Sequence, residues 1–244
     1  MKNIKLILEY DGSNYHGWQS QKNASAIQDI LEGAVLKLTG EPSKIIGSGR
    51  TDAGVHALGQ VANFFSNAKI PPEKYSYALN SLLPPDIVIK HSEEVDNDFH
   101  ARFDAIGKTY IYRIRNSIYP SALYRNKELH VRLPLEVSLM RESTLHFLGK
   151  HDFAAFQATG SSVLSTVRTI YNLNLSCDGE IITLEITGNG FLYNMVRIIT
   201  GTLIDVGIGK LKSADIPKIL GSRDRRSAGK TVAPHGLYLK QVYY

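Results

Sequence analysis

The 244-residue chain has one cysteine, Cys177, and one tryptophan, Trp18. A lone thiol forms no intramolecular disulfide and supplies no thiolate cluster for zinc or iron–sulfur. The sequence therefore suits a reducing cytoplasmic compartment and excludes chemistry on a cysteine pair. Long apolar runs are also missing. The stretch Met1 to Tyr10 carries Lys5 and Glu9, and no later run approaches about 18 residues without a charge, so neither a signal peptide nor a membrane span is predicted. No G-x-G-x-x-G occurs, and the eight histidines show no H-x-x-x-H and no carboxylate at ligand spacing. Neither a metal nor a dinucleotide cofactor is expected. Residues 227–231, SAGKT, end like a phosphate-binding loop. Asp224 stands where that loop needs its first glycine, however, and Pro234 interrupts the helix that should follow, so the segment reads as a basic loop.

What is present is globular: 43% hydrophobic and 21% charged residues, at a length for which folding buries roughly 70 to 75% of the unfolded surface. The net charge of +5 is unevenly placed. Residues 1–104 hold ten Lys/Arg against thirteen Asp/Glu, and residues 105–244 hold eighteen against ten. A basic second half fits a polyanionic partner, and it equally fits a solubilising charge.

The first hundred residues alternate between strand and helix patterns. Ile4 to Tyr10 is β-rich and leads into a polar loop, Asp11 to Asn23. Ser25 and Gln28 form a capping box for a helix whose apolar residues Ile27, Ile30, Leu31, Ala34, Val35 and Leu38 fall at helical spacing, with Gly40 as its stop. Lys44 to Ser48, Gln60 to Ser66 and Ile87 to Glu94 read as strands, and Pro71-Pro72 opens a helix reaching about Leu83. Composition turns basic near Gly107, which places a boundary between a 1–106 domain and a 107–244 domain. In the second half Lys108 to Asn116 alternates as a strand does, and a helix runs from about Ser138 to Gly149. Val167 to Ser176 and Glu180 to Thr187 flank an Asp178-Gly179 hairpin turn. A one-faced helix begins after Leu192, a short helix lies near 213–220, and a strand closes from Leu237 to Tyr244.

Three features carry chemistry. In GSGRTDAGVHALGQVANF, Gly47 to Phe64, four glycines surround Arg50, Asp52 and His56, so the backbone there can take tight conformations that approach a ligand. The same pattern also describes an ordinary turn steadied by Asp52. Between Lys108 and Arg132, six Lys/Arg are interleaved with Tyr110, Tyr112, Tyr119 and Tyr124, a mixture that suits phosphates and stacked bases. Thirteen tyrosines also suit a strand-rich core. Arg197 interrupts the last apolar helix. Either it snorkels to solvent, or it points inward and needs an anion such as Asp52.

The segment GRTDAGVHALGQV resembles the signature of the TruA-type tRNA pseudouridine synthases. Seven further segments resemble the same family in order along the chain: YDGSNYHGWQSQ, LNSLLPPDI, FHARF, KTYIYRI, HDFAAF, FLYNMVRIITG and APHGLYL. The resemblance implies an α+β fold of two similar domains, each on a largely antiparallel sheet with flanking helices, and an active-site cleft between them. It implies a cofactor-independent, metal-free isomerase that converts uridine to pseudouridine at positions 38, 39 and 40 of the tRNA anticodon stem-loop, acting as a homodimer. By motif, Asp52 corresponds to the catalytic aspartate, Tyr110 to the ring that stacks on the target uracil and Arg50 to a basic residue beside the extruded nucleotide. Arg197 corresponds to the arginine pairing with the aspartate, and Leu237 to an apolar pocket residue. Ser20 departs from the family pattern, which expects a basic residue there.

The implied reaction breaks the C1′–N1 bond and makes a C1′–C5 bond, so it needs an ionised carboxylate and no electrons. Burial raises a carboxylate pKa, and a neighbouring arginine opposes that rise. Extruding a stacked uridine costs a few kcal/mol, part of which Tyr110 can recover by stacking. The basic half, with loop residues Arg223, Arg225, Arg226 and Lys230, is expected to bind the tRNA backbone. A non-catalytic RNA-binding or chaperone protein would share the basic half and the tyrosines, but it gives no reason for Asp52.

Overall fold

Ile4, Leu6, Leu8 and Tyr10 alternate along β1 (Lys2–Tyr10) and all are buried, as a strand with one face on a core requires. The computed structural model describes residues 1–21, 24–160 and 163–244, which divide into two units, Met1–Ile106 with Tyr238–Tyr244 and Gly107–Leu237. In the first unit β1 lies between β3 (His56–Ser66) and β4 (Ile87–Val95), antiparallel to both. The far edge of β3 is shared. The two-residue β2 (Ile46–Gly47) pairs with its second half, and β10 (Leu237–Tyr243) runs parallel to its start, with Tyr238 opposite His56 and Leu239 opposite Ala57. Gly59 makes room for this strand, since a Cβ there would lie 2.6 Å from the Lys240 carbonyl oxygen. The sequence reading starts β3 at Gln60 and leaves β10 with the second half. In the structure β3 begins at His56, and residues 238–244 complete the first unit.

Helix α1 (Ile27–Thr39) buries Ile27, Leu31, Ala34 and Val35 and stops at Gly40, whose φ of 76° suits glycine. The expected capping box is absent. Ala26 is the N-cap, and Gln28 makes tertiary contacts instead, with Nε2 donating to the Ile45 carbonyl and to Glu32. The polar loop ahead of α1 includes residues 22 and 23, which lie outside the described residues. Pro71-Pro72 opens only a 3-10 turn before α2 (Tyr75–Asn80).

In the second unit β5 (Gly107–Asn116) pairs antiparallel with β9 (Ile181–Gly188), which pairs with β8 (Val167–Asp178) and through it with β7 (Gly149–Asp152). The short β6 (Leu129–Val131) runs parallel to the end of β5. The hairpin turn is Gly179-Glu180, one residue later than expected, because Asp178 still pairs with Ile181 and Gly179 carries the positive φ of 55°. Helices α3 (Val137–Thr144), α4 (Met195–Gly207) and α5 (Ile216–Ser222) complete an α+β architecture of mostly antiparallel strands, as predicted. All of α4 except Arg197 is buried, although its sequence reads as one-faced. Its small and hydroxyl residues explain this. Gly201 lies directly under the Lys230 carbonyl and Gly207 against Met140, while Thr200 and Thr202 return their hydroxyl protons to the Val196 and Ile198 carbonyls. Among the described residues no helix is long and apolar enough to cross a membrane.

Candidate active site

Asp52 opens a four-residue turn closed by a hydrogen bond from the Val55 N–H to the Asp52 carbonyl. Gly54, at φ 77°, occupies the third position, where a type II turn needs a left-handed residue. The turn predicted from sequence is therefore real, and it is anchored on both of its limbs. The Gly54 N–H donates to the Tyr15 carbonyl and the Trp18 N–H to the Thr51 carbonyl, 3.1 Å away. Tyr10 Oη lies 2.8 Å from Thr51 Oγ1. Glycines allow the closest approaches: a Cβ on Gly12 would lie 2.0 Å from the Val55 carbonyl oxygen, and one on Gly17 2.3 Å from that of Thr51.

The incoming limb of the turn is held by Gln60, which is fully buried. Its Oε1 accepts from Ser48 Oγ at 2.6 Å and its Nε2 donates to the Gly49 carbonyl at 3.1 Å. Burial pushes the Tyr10 phenol up from its ordinary value, and bonds to Thr51 and Gln60 only partly offset this, so Tyr10 remains neutral. On the outgoing limb His56 Nδ1 accepts the Gly12 N–H at 3.0 Å, and its ring stacks on Tyr238 at 4.7 Å. The same Nδ1 lies 3.1 Å from Asp11 Oδ1. The result is a half-buried Asp52 and an exposed Arg50 on a backbone with little freedom. Sequence reasoning missed Tyr10, Thr51 and Gln60. No sequence signal singles out Gln60, since Asn63 is a second amide in the same largely apolar strand.

In the second unit Tyr110 sits on β5 opposite Ile186, with its ring edge-on to Phe191 at 5.1 Å. Two residues on, Tyr112 is fully buried and donates its hydroxyl to the Ala233 carbonyl at 2.6 Å. Burial pushes this phenol up, and the nearby charge of Arg197 pulls the other way. Arg197 is half-buried rather than snorkelling: Nε donates to the Val232 carbonyl at 2.8 Å and Nη1 to Asn194 Oδ1 at 2.6 Å. Asn194 takes a left-handed φ of 61° at the start of α4. Arg197 and Tyr112 thus clamp adjacent carbonyls of the segment leading to Leu237, which is buried. Gly236 fits beneath, where a Cβ would lie 2.7 Å from the Tyr112 ring.

The basic loop is less open than its sequence suggests. Arg225 turns back on the loop, donating to the Ala228 carbonyl and to Thr231 Oγ1 at 3.0 Å. Arg226 forms a two-pronged pair with Asp224, and Arg223 Nε lies 2.9 Å from Asp152 Oδ2. Lys230 is exposed, while Gly229 of the same loop donates its N–H to Thr202 of α4. Among the described residues no three His, Cys, Asp or Glu side chains gather as a metal site would require.

A family model described as tRNA pseudouridine synthase matches residues 6–104 and 144–244. The chain is 57% identical over 244 residues to tRNA pseudouridine synthase A of Acetivibrio thermocellus, covering all of both chains. It is 55% identical to the protein of the same name from Ruminiclostridium cellulolyticum and 50% identical to that from Thermoanaerobacter pseudethanolicus, again covering all of both chains. The Asp52 turn and Arg197, with its partners Asn194 and Val232, lie inside the matched residues, while Tyr110 and Tyr112 lie between the two matched segments. The chain belongs to the tRNA pseudouridine synthase family.

Proposed function

We propose that this chain isomerises uridine to pseudouridine at positions 38, 39 and 40 of the tRNA anticodon stem-loop, as a cytoplasmic homodimer, with Asp52 as the catalytic carboxylate. The observation that carries the reading is the anchored Asp52 turn. Its carbonyl, its neighbours Thr51 and Gly54 and both its limbs are fixed by hydrogen bonds, which is the preorganisation a catalytic carboxylate needs to meet a reacting atom without a search. An ordinary surface turn has no use for a buried Gln60 and Tyr10 beneath it.

In this reading Asp52 and the clamped Arg197 act on one extruded uridine, and the guanidinium favours the charged carboxylate. Tyr110 stacks on the uracil and recovers part of the unstacking cost, Leu237 gives the base an apolar wall, and Arg50 holds the nearby phosphate. Lys230, Arg223 and Arg226 meet the RNA backbone at rim positions, where phosphate contacts position the substrate without reading its sequence. The test is tritium release from tRNA carrying C5-labelled uridine. Asp52→Ala is expected to abolish release while tRNA affinity stays within a few-fold, and retained turnover in that variant refutes the assignment. Wild-type chain that binds tRNA yet releases no tritium identifies a non-catalytic RNA-binding protein instead.

A further inference from the structure

The second unit contains a cavity of about 250 Å³ that the proposed isomerisation does not use, lined by Arg115, Pro120, Tyr124, Glu128, Leu129 and His235 among others. Glu128 is only 3% exposed. Arg115 Nε donates to its Oε1, whereas Oε2 has no hydrogen-bond partner among the described residues. Native chains rarely leave a buried acceptor unbonded, and one in a cavity wall calls for a donor from outside the chain. The surroundings select that donor. Arg125 lines the same cavity, and the guanidinium of Arg115, 2.8 Å from Glu180, also lies over the Tyr124 ring at 6.0 Å. Cationic groups outnumber Glu128 in the cavity wall, which disfavours a cationic ligand. Burial pulls the His235 imidazole below its ordinary pKa against a bond with the Glu128 backbone, and the charge of Arg197 pulls it down further. Pro120, Tyr124 and Leu129 offer faces for a flat ring. The cavity is smaller than the roughly 300–1,000 Å³ of pockets for drug-sized ligands, which suits one ring system.

We propose that this cavity binds a nucleobase carrying an exocyclic amino group, adenine, cytosine or guanine, with an N–H donating to Glu128 Oε2, the ring facing Tyr124 and the phosphate held by Arg125. Uracil is excluded by its own edge, because its single ring N–H is flanked by two carbonyl oxygens that would meet the carboxylate. That the base belongs to a tRNA rests on the function proposed above. Binding of a mononucleotide does not.

The experiment titrates AMP, CMP and UMP into the full chain carrying ¹³C-labelled leucine methyl groups and reads Leu129. AMP and CMP are expected to saturate its shift at concentrations at least about five-fold below UMP. Tyr124→Ala, at an exposed position, is expected to weaken AMP and CMP by about five-fold or more. In Glu128→Gln the preference over UMP should shrink to less than about two-fold. Equal midpoints for the three nucleotides, no Leu129 shift with any of them, or unchanged midpoints in Tyr124→Ala would each overturn the proposal. Tritium release by the wild-type chain is measured separately, so loss of the isomerase reading and loss of this subsite are distinguishable.

Discussion

Gly17 faces the Asp52 turn more closely than any side chain could. At φ 89° it is strained for any other residue, and a Cβ there would lie 2.3 Å from the Thr51 carbonyl oxygen and 3.0 Å from the Asp52 carbonyl carbon. Gly17→Ala therefore costs about 1–2 kcal/mol for the left-handed backbone and about 1–3 kcal/mol for the forced displacement. Together these lower Tm by very roughly 4–20 °C in a chain of this length. To reach ordinary contact near 3.4 Å the Thr51–Asp52 peptide must withdraw by about 1 Å, a misplacement that costs on the order of 100-fold in rate when it reaches a catalytic group. Gly40→Ala is the control. It has nearly the same φ, 76°, but nothing within 4 Å of its Cβ, so it carries the strain alone, about 1–2 kcal/mol. Thermal melts and single-turnover tritium release at a temperature where both variants are folded separate the two effects. Gly17→Ala should lose turnover by about 100-fold and Gly40→Ala by less than about two-fold. If Gly17→Ala melts early yet turns over normally, the contact does not position Asp52. An equal loss in Gly40→Ala would mean that turnover follows general stability.

In the proposed mechanism Arg197 favours a charged Asp52, so Arg197→Leu is expected to reduce turnover far more than tRNA affinity, measured by kcat against filter-binding Kd. Tyr112→Phe leaves the Ala233 carbonyl without its 2.6 Å partner in a buried site, which should cost about 1–3 kcal/mol in urea unfolding. Lys230→Ala should make the slope of log Kd against log salt shallower by about 0.7–0.9, whereas Arg225→Ala, which unties the loop from Thr231, should change loop protection in hydrogen exchange and leave the slope alone. His235 is held below its ordinary pKa chiefly by burial. Its stabilisation is present above the unfolded value near 6.5 and is lost as pH falls below it, where the unfolded chain takes up a proton that the native one resists. Thermal melts between pH 7.5 and 5 should therefore steepen below about 6.5 in the wild type and flatten in His235→Gln.

Local pattern carried the sequence reading where the physics is local. Helix α1, β1, β5 and the β8–β9 hairpin each follow from spacing and from a stop or turn residue, because their burial is set by alternation along one element. The reading failed where a distant segment changed the rule. Gln28 caps nothing because Ile45 and Glu32 claim its amide. β3 begins before its sequence looks like a strand because residues of β10 pair with His56 and Ala57. α4 looks amphipathic but is enclosed, since Gly201 and Gly207 admit neighbours that no hydrophobic period records. The candidate site shows the same division. Asp52, Arg50 and Tyr110 stand out by residue type and by resemblance to the family. The residues that hold the Asp52 turn, Thr51 and Gln60, are visible only as hydrogen-bond partners far apart in the chain. Net charge was the least informative guide to the basic loop, because Asp224, Thr231 and Asp152 occupy three of its arginines.

The placement of β10 has a consequence for synthesis. The strand that rises from the Asp52 turn gains its parallel neighbour only from residues 238–244, after the whole 107–237 unit has been translated. Domains generally mature as units while the ribosome is still at work, but here the second unit can mature first while the first waits for its last strand. A nascent chain arrested at residue 237 would carry every residue proposed for the chemistry and lack the strand that seats His56 and Tyr238 together. Ribosome-bound intermediates should accordingly stay inactive and protease-sensitive around residues 47–60 until that segment clears the exit tunnel.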